Sequence, residues 1–334
     1  MNKTDTLIVG QGIAGSLIAH LLYQLNVPFI VIDPGNANTS SRIAAGMFTP
    51  VTGKRKTIQP LVQQQIELAI STYRSIEQTL NISILHQRNI YQVFHSMAEQ
   101  NEFSDRAAEV SFRNFILVNP ERVAHIKDEV GACEITHSGW VDCDTWINGY
   151  ADWLNKQGTF IKGQFVYQDL HIGKTTMEYQ GIVCNNIIFC EGYHAIHNPF
   201  FQNEHIIPCK GNVLTIQSDK LICERIIKKN GLYLVPSGSN FKAGSTYQWN
   251  NATTAPDDDS AGILRSKLDD MLTDKYIVLD HQAAIRPTTQ NREVIARQHA
   301  THKGMFIFNG LGTKGILQGP WWARRIIEQI RETS

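Results

Sequence analysis

Two loops of the form G-x-G-x-x-G stand near opposite ends of this 334-residue chain. Gly10-Gln11-Gly12-Ile13-Ala14-Gly15 follows the apolar run Leu7-Ile8-Val9, and Gly310-Leu311-Gly312-Thr313-Lys314-Gly315 follows Met305-Phe306-Ile307-Phe308. A glycine turn between a strand and a helix leaves first-turn N–H groups without intrahelical acceptors. With the helix dipole, those groups hold an anion such as a phosphate. Asp33, eighteen residues after Gly15, closes a second apolar strand at the place where a carboxylate receives ribose hydroxyls. A turn-forming Asp before Pro34-Gly35 is the plainer alternative. In a chain with 24 glycines one such loop is a weak signal, but the strand, helix and acid around the first make it a nucleotide site. Two such loops suggest a chain that wraps one long ligand from both ends.

The elements that must position these groups are written in the apolar spacing. Leu17, Ile18, Leu21, Leu22 and Leu25 recur at helical intervals, Asn26-Val27-Pro28 ends that helix, and Phe29–Ile32 is a second strand. Strand, helix and strand within about 30 residues form a βαβ unit, whose crossover makes the sheet parallel. Residues 40–53 are small and aperiodic, which predicts a loop beside a ligand. Helices are expected over 61–80, 144–154, 263–272 and 317–330, and strands over 90–94, 116–118, 187–190, 212–216, 232–235 and 304–309. The ligand-type elements fall at the start, middle and end of the chain. The expected fold class is therefore α/β: a Rossmann-like nucleotide-binding domain over 1–57, 141–205 and 288–334, and a second, smaller α+β substrate domain with a mixed sheet over 58–140 and 206–287.

Composition narrows the function. Hydrophobic residues make up 42% and charged residues 19%, as in ordinary globular proteins. Thirty-one basic residues balance 31 acidic ones and no basic block stands out, which argues against nucleic acid or an anionic membrane as partner. Six cysteines without a C-x-x-C pair or a His/Cys metal spacing read as buried thiols in a reducing compartment, and no metal site is expected. Glycines, Gln11 and His20 interrupt the apolar stretch 6–25, so a cytoplasmic protein is expected.

Nicotinamide and flavin dinucleotides share the first unit, so the choice between them rests on Ser41-Arg42-Ile43-Ala44-Ala45-Gly46-Met47, a run of small residues that either lets backbone N–H groups approach a ligand closely or serves close packing alone. Here the chain resembles the D-amino-acid oxidase/glycine oxidase (DAO) family of flavoenzymes, in which a similar segment lines the flavin. Further similarities follow in order: Cys209-Lys210-Gly211, Leu232-Tyr233-Leu234-Val235-Pro236, Ala243-Gly244-Ser245-Thr246, Ile285-Arg286-Pro287, and Asn309-Gly310 through Gly315-Ile316-Leu317 with Pro320. The resemblance implies FAD. The first loop (Gly10, Gly12, Ile13, Ala14, Gly15) with Asp33 and Pro34 would take its adenine-nucleotide end. Ser41, Arg42, Ala44, Ala45, Gly46 and Met47, together with Gly192 and the second loop (Gly310, Gly312, Thr313, Lys314, Gly315, Ile316), would take the flavin end.

The same resemblance implies that Arg286 pairs with a substrate carboxylate, helped by the Tyr233 hydroxyl. A planar guanidinium suits that task because it donates two parallel hydrogen bonds. A plain salt bridge for Arg286 and a half-buried strand aromatic for Tyr233 are the alternatives. Lys314 departs from the family spelling. It stands either as a cation stabilising reduced flavin or steering oxygen chemistry, or as a solvated loop lysine. Glu191, where the family has a small residue, is a second departure, and His281 reads as structural. The implied reaction is oxidation of a small-molecule amine or amino acid: hydride passes from the α-carbon to flavin, the imine hydrolyses, and oxygen or another acceptor reoxidises the cofactor. Alternatives are a flavin dehydrogenase with a partner acceptor, a nicotinamide-dependent reductase, and a catalytically silent flavin-binding interaction module.

Overall fold

The structure is a computed structural model that describes residues 2–53 and 56–333. Among these residues, the sheet that carries both glycine loops has six strands, in the order Phe160–Lys162, Phe29–Asp33, Thr6–Val9, Asn186–Phe189, Met305–Asn309 and Ile295–Gln298. The first five run parallel, and Ile295–Gln298 closes one edge antiparallel. Its central strands are buried along their whole length, as a parallel sheet covered on both faces requires. Ile8, Val31, Ile188, Phe306 and Phe308 face the helices Ile13–Gln24, Cys143–Gln157 and Gly315–Thr333. Leu7, Val9, Ile187, Phe189, Met305 and Ile307 face the meander Leu170–Ile172, Met177–Tyr179 and Ile182–Cys184.

The first and last helices pack through residues that lack side chains. A Cβ on Gly319 would lie 2.7 Å from Leu17 Cδ1, and one on Gly315 would lie 3.5 Å from Ile13 Cδ1. This close approach brings the two helix N-termini, and with them the two glycine loops, side by side. Pro320 sits inside Gly315–Thr333 and has no N–H to give to the Ile316 carbonyl. The fully buried Tyr73 hydroxyl donates to that carbonyl at 2.9 Å instead. Tyr73 belongs to the helix Val62–Leu80, which lies in the segment expected to join the substrate domain. Its buried residues nevertheless share a core with the three helices above, so it bridges the two layers.

The second sheet is mixed and has nine strands among the described residues. Ile206–Gln217 pairs with Ile277–Thr289 on one edge and with Asn240–Gly244 and Gln248–Trp249 on the other. Leu232–Ser237, Ile226–Lys229, Ile90–Val93, Ala132–Ile135 and Ile116–Val118 follow, with Ile226–Lys229 and Ile90–Val93 parallel. Strand alternation gives this sheet two destinations. Leu214, Ile227, Leu234 and Ala243 pack under the helix Asp258–Met271, while Ile90, Ile226 and Val235 turn toward the Rossmann-like layer.

The structure extends several expectations. The aperiodic segment 40–53 holds a one-turn helix, Ser40–Ile43, and a strand, Met47–Phe48, that pairs with Gly139–Val141. Ile277–Thr289 is a thirteen-residue strand whose apolar run is masked by Asp280, His281 and Gln282; as an edge strand it tolerates Pro287. All six cysteines are free, and all but Cys223 are buried. No helix among the described residues is long and apolar enough to cross a membrane.

The Tyr73–Ile316 bond makes a coupled prediction. Tyr73→Phe leaves a buried carbonyl unsatisfied and should cost about 1–3 kcal/mol in a denaturation experiment. In a Pro320→Ala background the restored N–H can serve that carbonyl, so the same substitution should cost clearly less. Additive losses would show that the two residues do not share the Ile316 carbonyl.

Candidate active site

The groups expected to hold a dinucleotide gather at the carboxyl ends of the parallel strands, where open α/β sheets bind ligands. After Thr6–Val9 the chain turns at Gly10 (φ +101°), where a Cβ would lie 2.4 Å from Cys190 O. A Cβ on Gly15 would lie 1.8 Å from Gly10 O, so no other residue fits this turn. Gly12 is the N-cap of Ile13–Gln24 and has no side chain to cap it; the Ile13 N–H donates to Ser41 Oγ at 3.0 Å. Ala14 is buried directly behind, and the loop thus opens toward the segment Ser41–Met47.

Asp33 closes its strand as expected. Its carboxylate accepts from the Gln11 N–H at 2.7 Å and from the Gly35 N–H at 2.7 Å, which pins the first loop to the strand end beside Pro34. Each carboxylate oxygen has a further lone pair for a ribose hydroxyl. Ala44 and Ala45 follow the short helix that carries Arg42. Gly46 (φ +69°) packs against Val141 O, at 1.9 Å from where its Cβ would be, and Met47 pairs with Trp140.

The second loop joins this rim from the other side. Asn309 Nδ2 donates to Gly192 O at 2.8 Å, the Gly310 N–H to Asn309 Oδ1 at 2.8 Å, and the Gly312 N–H to Pro287 O at 3.0 Å. Gly192, Gly310 and Gly312 all have positive φ. Thr313 is exposed, Gly315 and Ile316 are buried, and Lys314 lies half-buried at the head of the last helix. Burial and the nearby Arg292 lower the Lys314 pKa, and no carboxylate among the described residues pairs with it. The result is one continuous rim with two helix N-termini. It fits a single extended nucleotide. At Gly10, Gly12, Gly15, Gly46 and Gly310 a Cβ would come within 3.0 Å of another atom, whereas Gly192 has open space around it and needs glycine only for its positive φ.

Glu191 is half-buried at the same rim. Its Oε1 accepts from Tyr167 Oη at 2.5 Å and its Oε2 from Asn198 Nδ2 at 2.7 Å. Burial raises its pKa, and these two donors oppose the rise. The acid therefore faces Tyr167 and Asn198 and acts as a strut for the loop that carries Gly192.

Across from the rim stands the mixed sheet. Tyr233 pairs with Gly244, whose Cβ position is 2.8 Å from the Tyr233 hydroxyl, and burial raises the phenol pKa. Arg286 donates through Nη1 to Thr246 O at 3.3 Å and through Nη2 to Ser245 Oγ at 2.6 Å. Its guanidinium carbon lies 4.7 Å from the Tyr247 ring centre, and it crosses Gly211, where a Cβ would be 2.2 Å from Nη2. Among the described residues no carboxylate pairs with Arg286, so the plain salt-bridge alternative has no partner. The Arg286 face of the sheet meets Ser40–Ile43 through contacts of Val213 and Ala284 with Ile43.

Sequence reasoning missed several members of this site. Gly211 clears the space for Arg286, Ser245 and Tyr247 hold it, and Lys242 shares the Tyr233 face because it pairs with Val235. Lys242 also lies within electrostatic reach of Cys143, whose thiol is pushed up to about 12, mainly by burial. A signal for the first group existed in the Gly244-Ser245-Thr246-Tyr247 run after a strand. None existed for Lys242, whose orientation depends on register.

Two glycine loops at helix N-termini, facing a sheet whose Arg286 has no carboxylate partner among the described residues, suit a cofactor-dependent oxidoreductase. The chain belongs to the DAO family, described as FAD dependent oxidoreductase, which matches residues 5–329. Its fold is similar to that of glycine oxidase from Bacillus cereus ATCC 14579 (18% identity, 99% of this chain and 96% of that chain covered, TM-score 0.85). It is also similar to L-proline dehydrogenase from P. horikoshii (12%, 100% and 95%, 0.80) and to L-alpha-glycerophosphate oxidase from Mycoplasma pneumoniae (17%, 99% and 95%, 0.76). The cofactor is therefore a flavin, and the nicotinamide alternative falls.

The raised Glu191 pKa has a signed consequence. Folding favours its protonated form, so its contribution is full below the unfolded value of about 4.3 and is lost as pH rises through the folded value. From roughly pH 4 to 8, Glu191→Gln should lose less stability than the wild type in urea titrations. Parallel pH profiles would contradict this placement of the acid.

Proposed function

We propose that this enzyme uses FAD to oxidise an amine that carries a carboxylate, an amino acid or N-substituted amino acid, with Arg286 as the carboxylate anchor. The observation that carries the proposal is the Arg286 environment: a half-buried guanidinium held by neutral acceptors, with no acidic partner among the described residues, on the sheet face turned to the second glycine loop. The names of similar structures range from glycine oxidase to glycerophosphate oxidase, so the substrate argument rests on this side chain rather than on the fold. FAD is favoured over FMN because the first loop and Asp33 would supply the phosphate and ribose ligands of an adenosine half, which FMN lacks. The division into a cofactor domain (1–57, 141–205, 288–334) and a substrate domain (58–140, 206–287) belongs to the same proposal.

When bound, the flavin supplies the two-electron acceptor, and the protein binds, orients and excludes water. Backbone N–H groups of the first loop would hold the pyrophosphate, and Ser41–Met47, Gly192 and Gly310–Ile316 the flavin end. Arg286 would fix the position and rotation of the substrate through a two-point contact with its carboxylate, leaving the amine and α-carbon toward the rim. The Tyr233 phenol stays protonated at neutral pH and adds a neutral donor. Lys314 and the helix dipole behind it both favour negative charge at the flavin end, the dipole by about 0.3–1 kcal/mol. Oxygen is the proposed terminal acceptor. A partner acceptor is the second reading, since both an oxidase and a dehydrogenase are among the similar structures.

Arg286→Ala should weaken the apparent affinity for a carboxylate-bearing substrate by about 100-fold and leave bound flavin intact, with Arg286→Lys intermediate because an ammonium cannot form the planar fork. Unchanged steady-state constants in both variants would remove Arg286 from the site.

A further inference from the structure

We propose that a polar network on the opposite face of the sheet, Lys210–Asp257–Asn212–Thr246, positions the Arg286 guanidinium; this rests on the reading of Arg286 as carboxylate anchor. Arg286 lies opposite Cys209 and Lys210 opposite Ile285, so Arg286 leaves one face of the strand pair while Lys210 and Asn212 leave the other. Lys210 is 3% exposed, and its Nζ lies 2.9 Å from Asp257 Oδ2. The same oxygen accepts from Asn212 Nδ2 at 3.1 Å, while Asp257 Oδ1 accepts from the Ser260 N–H at 2.9 Å and so caps the helix Asp258–Met271.

Asn212 is fully buried and passes the constraint on. Its backbone N–H and Nδ2 both donate to Thr246 Oγ1, at 2.9 and 3.2 Å, and its Oδ1 meets His281 Nε2 at 3.0 Å. Thr246 is thus gripped by its side chain on one face while its carbonyl accepts from Arg286 on the other. The adjoining Ser245 and Tyr247 complete the cradle of the guanidinium.

A partly buried ion pair, with Lys210 enclosed and the Asp257 side chain 30% exposed, is weak evidence for stability, because desolvation offsets its attraction. Here its partners are satisfied and aimed at one segment, which suits a role in holding geometry. The Asp257 cap alone would account for the helix, but it gives no reason for two Asn212 donors to converge on the Thr246 hydroxyl. Thr246, Asn212, Asp257 and Lys210 are therefore positioning residues, acting on substrate through Arg286.

The test uses the flavin-loaded enzyme and glycolate as carboxylate probe, with its dissociation constant read from the perturbed flavin absorbance. Thr246→Val removes the hydroxyl at nearly constant shape and should weaken glycolate about tenfold with flavin content unchanged; Thr246→Ser, which keeps the hydroxyl, should stay within about twofold of wild type. The paired Lys210→Met, Asp257→Asn variant should weaken glycolate in the same direction and serves if Thr246→Val fails to fold. Unchanged affinity in Thr246→Val, or equal losses in Val and Ser, overturns the inference even if the melting temperature falls. A wild type that does not bind glycolate, or binding unaffected by Arg286→Ala, overturns the Arg286 reading itself.

Discussion

The candidate site depends on one close approach, that of Ile13–Gln24 to Gly315–Thr333. Gly315 and Gly319 lie against Ile13 and Leu17 with no room for a larger residue at Gly319. This contact joins elements about three hundred residues apart in the chain and aligns two helix N-termini at one edge of the sheet. A single terminus offers a phosphate site; two in register offer charge stabilisation at both ends of a long anionic ligand. Pro320 would weaken the second helix just beyond its head, and Tyr73 repairs it from a third helix. The cofactor rim is therefore a property of packing rather than of either loop alone.

The mixed sheet divides its work by strand alternation. One face offers Tyr233, Lys242 and Arg286 to the rim, while the other rests on the helix Asp258–Met271. Because Thr246 has its side chain in one environment and its carbonyl in the other, the hidden face is mechanically linked to the exposed cation. A guanidinium without a fixed acceptor would sample many rotamers, and ordering it on binding would cost affinity. Three neutral groups, Ser245, Thr246 and Tyr247, hold it without neutralising it.

Much of this was legible in the chain because the parallel strands are buried on both faces and read as unbroken apolar runs. Thr6–Val9, Phe29–Asp33 and Met305–Asn309, with their glycine loops, were visible for that reason. The mixed sheet was harder. Ile277–Thr289 carries Asp280, His281, Gln282 and Pro287, residues that disguise a strand and that an edge accommodates. Arg286 was recognised by resemblance, but its cradle was not, because Ser245, Thr246 and Gly211 become neighbours only through pairing across strands. His281 reads as structural in the sequence, and its Nε2 meets Asn212 Oδ1 at the end of the network, a contact no motif announces. Glu191 stood out as a departure in spelling; its partners Tyr167 and Asn198 come from elements with no motif of their own.

The central claim is that an unpaired guanidinium selects a carboxylate-bearing amine for oxidation by the flavin beside it. Anaerobic mixing of the oxidised holoenzyme with glycine, N-methylglycine and methylamine, followed by flavin absorbance, tests it most directly. Bleaching by a carboxylate-bearing amine, with methylamine inert at the same concentration, is the result this account predicts. Equal bleaching by methylamine, or none by either amino acid or by other carboxylate-bearing amines, would contradict it.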